Sequence, residues 1–203
     1  MLSANIPELN EWIEAELSYL RKNIGPNSII LDIGFGRGDT IYKLKDMAKK
    51  IVGVEISEEG YNEAKDKLSE FENIELFLED AQEMHFPDEI FDYIICLGNI
   101  FGNLGGSQGT VVREMKRVLK KRGKVFISVY SEDALDKRLE IYRKSNNLDI
   151  ANILEDGTVV SKRGIISEQY SKEKLNFIFK EVGMDIEISR LTPITYMCEA
   201  TKN

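Results

Sequence analysis

Three acidic residues, Asp32, Glu55 and Asp80, stand at the ends of apolar runs, 23 and 25 residues apart. The first is followed at once by glycine at every second position, Gly34, Gly36 and Gly38. Such a loop lets a ligand approach the backbone where a side chain would collide, and it leaves amide N–H groups free to donate. Glu55, with Ile56 beside it, can accept hydrogen bonds from both hydroxyls of a ribose. Asp80 stands next to the backbone amide of Ala81, a pair able to read the amino group and a ring nitrogen of adenine. Leu97-Gly98-Asn99 ends a fourth apolar run and is expected to face the glycine loop. Singly, each feature has a plainer alternative: glycines that turn the chain, acids that end strands, an asparagine that caps a turn. Together they predict a nucleoside-like ligand at the carboxyl ends of parallel strands.

The elements that must position these residues follow the hydrophobic periodicity. Ile6, Leu9, Trp12, Ile13, Leu17, Leu20 and Ile24 recur at helical spacing over residues 5–24, and Gly25-Pro26-Asn27 stops that helix. A strand at 28–33, the glycine loop, and a helix over 39–49 come next. A strand at 51–55 leads through Ser57, a candidate N-cap, into a helix ending near Phe71. The third strand is expected at 74–78. Residues 91–97 are apolar at consecutive positions from Tyr93, as in a central strand covered on both faces. The glycine-rich loop 98–109, a helix at 110–121, Gly123 and a strand at 124–130 complete the alternation. This rhythm implies a parallel sheet with right-handed crossovers.

The last third breaks that rhythm. Ser131 is read as the cap of a helix running to about Asn146, followed by a short β excursion over 148–168 that turns at Asp156-Gly157. Ser171 caps a helix to Glu181, and Gly183 ends it. The strands 186–191 and 194–200 are joined only by Thr192-Pro193, too short for a crossover, so they must pair antiparallel.

The chain has 203 residues, of which 42% are hydrophobic and 31% charged, enough for one well-cored domain. No apolar stretch approaches the ~20 residues that span a bilayer. Residues 1–8 have neither a basic flank nor an apolar core, so no secretory signal is read and a cytoplasmic location is expected. Cys96 and Cys198 sit in apolar strand-like segments and read as buried free thiols. One histidine and no paired Cys/His spacing give no metal-ligand pattern. A net charge of −8 argues against nucleic acid as partner. The basic cluster Lys116, Arg117, Lys120, Lys121, Arg122 and Lys124 ends a predicted helix, where cations complement the helix dipole. Oligomeric state leaves no mark on the sequence.

The pattern Asp32-Ile33-Gly34-Phe35-Gly36-Arg37-Gly38, followed by Glu55 and Asp80, resembles the class I S-adenosylmethionine-dependent methyltransferases over residues 28–130. The resemblance implies an α/β, doubly wound, Rossmann-like sheet of seven mostly parallel strands. An antiparallel C-terminal strand pair and a small insertion after the fifth strand complete it. It implies one domain: an N-terminal helix over 1–26, a cofactor-binding core over 27–130, an acceptor-side insertion over 131–170, and a closing helix and hairpin over 171–203. S-adenosylmethionine would be the cofactor, with its methionine part against Gly34, Phe35, Gly36 and Gly38, its amino-acid end oriented by Asp32 through water, and its ammonium on the carbonyl of Leu97 or Gly98. Glu55 and Ile56 would hold the ribose side, Asp80 and Ala81 the adenine. The chain departs from the family in carrying Phe35 where a small residue or cysteine is usual, which makes the loop bulkier. Residues 96–104 look like the G-N-x-F-x-x-L of glycine N-methyltransferase-like enzymes, and no N-P-P-Y tetrad occurs, so a small-molecule acceptor is expected.

Methyl transfer from a sulfonium needs alignment and exclusion of water more than a dedicated acid and base. Asn99 and Tyr130 are the candidates to line the acceptor side, and His85 is a base candidate by elimination. Trp12 and Tyr19 read as packing residues of the first helix. That helix and the insertion are the natural lid over the cleft. Three other readings share these residues: an NAD-dependent dehydrogenase, which would prefer the spacing G-x-G-x-x-G; a cofactor-binding partner subunit without catalysis; and a methyltransferase acting on protein.

Overall fold

The computed structural model describes residues 6–145 and 149–203. Seven strands form one sheet in the order β3-β2-β1-β4-β5-β10-β9. These are β1 (Ile29–Ile33), β2 (Lys50–Glu55), β3 (Ile74–Leu78), β4 (Phe91–Cys96), β5 (Leu119–Tyr130), β9 (Asp185–Thr192) and β10 (Thr195–Thr201). The first five run parallel, while β10 pairs antiparallel with both β5 and β9. This is the predicted doubly wound architecture with its antiparallel closing pair.

Neighbouring residues on a strand point to opposite faces, and here both faces are covered. Ile30 and Ile95 belong to one core, with Leu17 and Leu20 of α1 (Pro7–Asn23), Leu44 of α2 (Asp39–Leu44) and Leu68 of α3 (Glu58–Leu68). Leu31 and Ile94 belong to the other, with Val111 and Met115 of α4 (Gln108–Val118) and Phe179 of α6 (Lys172–Glu181). Strand order therefore reverses between β1 and β4, and the loops leaving their carboxyl ends diverge to opposite faces. A crevice at that reversal is the standard ligand position in such sheets.

Several element ends differ from the sequence reading, for local reasons. The helix expected over 39–49 stops at Leu44, because the Asn73 side chain donates to the carbonyls of Lys45 (2.8 Å) and Ala48 (3.5 Å). The fifth strand begins at Leu119 rather than 124, pairing with Phe91 of β4. Ser131 does not cap a helix; α5 (Leu135–Ser145) starts later, and the Ser131 hydroxyl bonds Asp133 and accepts from Arg190. The expected end of that helix at Asn146 lies outside the described residues. Ser57 and Ser171 do cap α3 and α6, each accepting from the amide three residues on.

The insertion after β5 contains α5 and a small three-stranded sheet, β6 (Ile150–Ile153), β7 (Val159–Ser161) and β8 (Ile166–Ser167). Its turn is at Asp156-Gly157, where Asp156 accepts from the Thr158 amide and Gly157 takes φ 79°. Cys96 and Cys198 are buried and unpaired. Four of the six basic residues are committed to the protein itself: Lys116 binds the Val182 carbonyl, Arg117 binds Glu114, Asp88 and two carbonyls, Lys120 binds Asp92, and Lys124 binds Glu199.

Candidate functional site

The carboxyl ends of β1, β2, β3 and β4 converge on two cavities that share Gly34 and Ile100. The larger, about 520 Å³, is lined by Glu55, Ile56, Asp80, Ala81, Leu104 and Ile165 among others. The smaller, about 240 Å³, is lined by Glu16, Asp32, Phe35, Leu97 and Gly98. Between them the Ile100 side chain, from the 3-10 turn Ile100–Asn103, lies directly on Gly34. A Cβ on Gly34 would stand 2.5 Å from Ile100 Cγ2, and φ there is 75°. Only glycine fits this position.

The three loop glycines do different work. Gly36 has φ 53° and open space where a side chain would be, and its amide donates to Glu55 Oε2 at 2.8 Å. Gly38 turns its bare face to α3, where a Cβ would meet Leu68 at 2.7 Å, so it serves helix packing and lines neither cavity. The bulk that Phe35 adds to the loop is taken up on β2: its ring is buried over Gly53, whose missing Cβ would sit 2.5 Å from Phe35 Cδ1. A small residue on β2 thus compensates a large one in the loop.

The acids are held to different degrees. Glu55 is 8% exposed; its Oε1 accepts from the Ser57 amide at 2.8 Å, so its two oxygens bind both flanks of the loop pair. Asp80 is exposed and accepts from the amide and side chain of Gln82. Asp32 is 3% exposed, and its Oδ2 has no hydrogen-bond partner. Burial, reinforced by the charges of Glu55 and Glu16, pushes the Asp32 carboxyl up to about 8. At the end of β4, Gly98 and Asn99 take φ 61° and 64°, which turns the chain sharply under the cleft.

Sequence reasoning missed Glu16. It lies on α1 at the helical spacing of Trp12 and Leu20, on the buried face, and is 4% exposed. Its Oε1 accepts from the Gly98 amide at 3.0 Å and from Ser128 Oγ. Burial raises its carboxyl to about 7, against the lowering effect of those hydrogen bonds, of the nearby Trp12 indole and of Lys43. An acid within an apolar stripe was the available signal.

The three acceptor-side candidates line neither cavity. Asn99 is a clasp: its Oδ1 accepts from the Tyr130 amide, and its Nδ2 donates to Ser167 Oγ (3.1 Å) and Glu168 O (3.3 Å). Tyr130 is buried with its ring 4.8 Å from Trp12 and 4.5 Å from the Arg138 guanidinium. His85 is exposed beside Phe77 and Phe86, its Nδ1 2.8 Å from Glu79 Oε2. Glu79, by contrast, does line the larger cavity.

A family model described as methyltransferase domain matches residues 30–123, the span from β1 into β5. The chain is 34% identical over 109 residues to the demethylmenaquinone methyltransferase of Bacillus licheniformis, covering 51% of this chain and 45% of that one. It is 29% identical over 126 residues to the ubiquinone/menaquinone biosynthesis C-methyltransferase UbiE of Vibrio campbellii, covering 58% and 47%. The chain thus spans about half the length of these curated relatives. Its fold superposes on a SAM-dependent methyltransferase from Aquifex aeolicus with TM-score 0.72, covering 98% of this chain and 95% of that one at 17% identity. Of the glycine loop, Gly34 shares the larger cavity with Glu55 and Asp80. No helix among the described residues is long and apolar enough to cross a membrane.

Proposed function

We propose that this chain transfers a methyl group from S-adenosylmethionine to a small-molecule acceptor. The observation that carries the reading is electrostatic: among the described residues lining the two cavities, five carboxyl groups beside that of Asp32 and no lysine, arginine or histidine occur. A dinucleotide would bring two phosphate charges into that field with no cation to meet them. The amide of Gly36, which could have bound a phosphate, is already given to Glu55. A ligand bearing a sulfonium and an ammonium has the complementary sign. The unpartnered Asp32 oxygen and the bare backbone at Gly34 and Gly36 fit such a ligand.

When bound, S-adenosylmethionine supplies a methyl group on a positively charged sulfur, already activated toward displacement. The chain's own task is then placement. Glu55 holds the ribose hydroxyls, and Asp80 with the Ala81 amide reads the adenine, with Ile56 and Ile165 as apolar walls. Asp32 and the carbonyls of Leu97 and Gly98 take the amino-acid end. Fixing donor and acceptor in line supplies ~7–11 kcal/mol of barrier reduction in favourable cases, so no dedicated base is required of this chain. The insertion reaches the cleft through Ile165, and the Asn99 clasp joins it to β4 and β5. It is the element that selects the acceptor. The likeness to quinone C-methyltransferases supports a small, largely apolar acceptor.

Calorimetric titration with S-adenosylhomocysteine and, separately, with NAD tests the reading. Binding of S-adenosylhomocysteine alone, with turnover of labelled cofactor on a panel of phenols, quinols and amines, is the expected result. Binding of NAD alone overturns it.

A further inference from the structure

Glu16 is the buried acid of the cleft that comes from outside the sheet, and packing alone does not require its charge. A glutamine could accept from Gly98 and Ser128 equally well without the desolvation penalty of a carboxylate. No described lysine, arginine or histidine forms an ion pair with it; Lys43, the cation nearest in effect, is paired with Glu14. Across the smaller cavity stands Asp32, 3% exposed and with an oxygen that meets no donor. Two carboxyl groups thus line one cavity from α1 and from β1, and no lysine, arginine or histidine among the described residues pairs with either.

We propose that Glu16 and Asp32 together grip the ammonium of the ligand's amino-acid end, making α1 a working wall of the site. This rests on the cofactor reading above and adds a residue to it. The grip also explains the coupling of α1 to the sheet: the carboxyl that meets the ligand is the one bonded to the Gly98 amide at the end of β4. Ligand binding and the seating of α1 then reinforce each other. Binding should also release protons near neutral pH, since a cation between two acids favours their charged forms. The other titratable groups facing the pair are Asp39, which lines the same cavity and pairs with Lys67, and Glu55, Lys43, Cys96 and Tyr130.

The test uses two ligands that differ only at the amino-acid end, S-adenosylhomocysteine and 5′-methylthioadenosine. Glu16→Gln should weaken the first by roughly tenfold to a hundredfold, the range of one charge-assisted hydrogen bond, and leave the second unchanged. The same variant should melt higher than the parent when empty, because a buried charge has been removed. Calorimetry of the unaltered protein in two buffers of different ionisation enthalpy should show proton release with S-adenosylhomocysteine only. Equal losses for both ligands, or no loss for either, overturn the role of Glu16. A parent protein that binds neither ligand overturns the cofactor reading itself.

Discussion

On the β1 side of the cleft, Glu16, Asp32 and Glu55 are each less than a tenth exposed, and no basic side chain lines the adjoining cavities. In the insertion the situation is reversed: Arg138 is fully buried and pairs with no carboxylate among the described residues. Its Nη1 and Nη2 instead donate to Gly157 O, Gln169 Oε1, Ser167 O and Ser167 Oγ, and the Tyr130 and Tyr142 rings cover it. Both regions pay desolvation, yet Arg138 meets four internal acceptors and leaves only its Nε without a partner, whereas Asp32 Oδ2 meets no donor. Arg138 has found neutral acceptors and lines neither cavity, so its charge serves architecture. Asp32 retains an unpartnered oxygen with a cavity beside it, and the reading proposed above gives its charge to a ligand. The contrast separates a buried charge that builds from one that waits.

The largest effect should come from the satisfied side. Arg138→Met leaves the carbonyls of Gly157 and Ser167 without donors, at ~1–3 kcal/mol each, and opens the seam between α5 and β8. Denaturant unfolding should show a loss of roughly 3–5 kcal/mol, or a separate early melting of the insertion. An unchanged midpoint would mean that the guanidinium is not what ties the insertion down.

The unsatisfied side should reveal itself through pH. Asp32 and Glu16 titrate in the folded chain at about 8 and about 7, above their ordinary values of 3.8 and 4.5. Their contribution to stability is therefore complete near pH 4 and is lost as pH rises to 8. Asp133 works the other way: the hydrogen bond from Arg190 lowers it to about 2, so its contribution holds above pH 4 and fades below. The empty protein should be more stable at pH 5 than at pH 8 by several kcal/mol, and Asp32→Asn should flatten that slope. A parent and variant with parallel pH profiles would remove Asp32 from the account.

How much of this was written in the sequence depends on whether a feature is local. The order of strands, the caps at Ser57 and Ser171 and the acids at three strand ends follow from short-range pattern, and all are found. The added bulk of Phe35 is legible locally, but its partner Gly53 is 18 positions away, and nothing local announces that a missing Cβ there makes room. Glu16 was passed over since Glu8, Glu11, Glu14 and Glu16 crowd one helix, and only packing on Gly98 and Ser128 tells a buried acid from a solvated one. Asn99 was recognised as important, but its clasp on Ser167 spans 68 residues. The end of the second helix depended on Asn73, far along the chain. Tertiary hydrogen bonds decide these details, and periodicity does not record them.

The smallest effects distinguish the acids within the cleft itself. Glu55 and Asp80 look equivalent as strand-end carboxylates, yet Glu55 also fastens the amides of Gly36 and Ser57, whereas Asp80 binds only Gln82. On the proposed reading, removing Glu55 therefore costs both a contact to the ligand and the shape of the loop beside it. Removing Asp80 costs the contact alone, and water can replace part of it at that exposed position. Glu55→Ala should weaken S-adenosylhomocysteine binding by about 2 kcal/mol and Asp80→Ala by about 1 kcal/mol. Titration of both variants against the parent measures the difference. If Asp80→Ala proves the more damaging, then adenine recognition, not loop shape, dominates the affinity of this cleft.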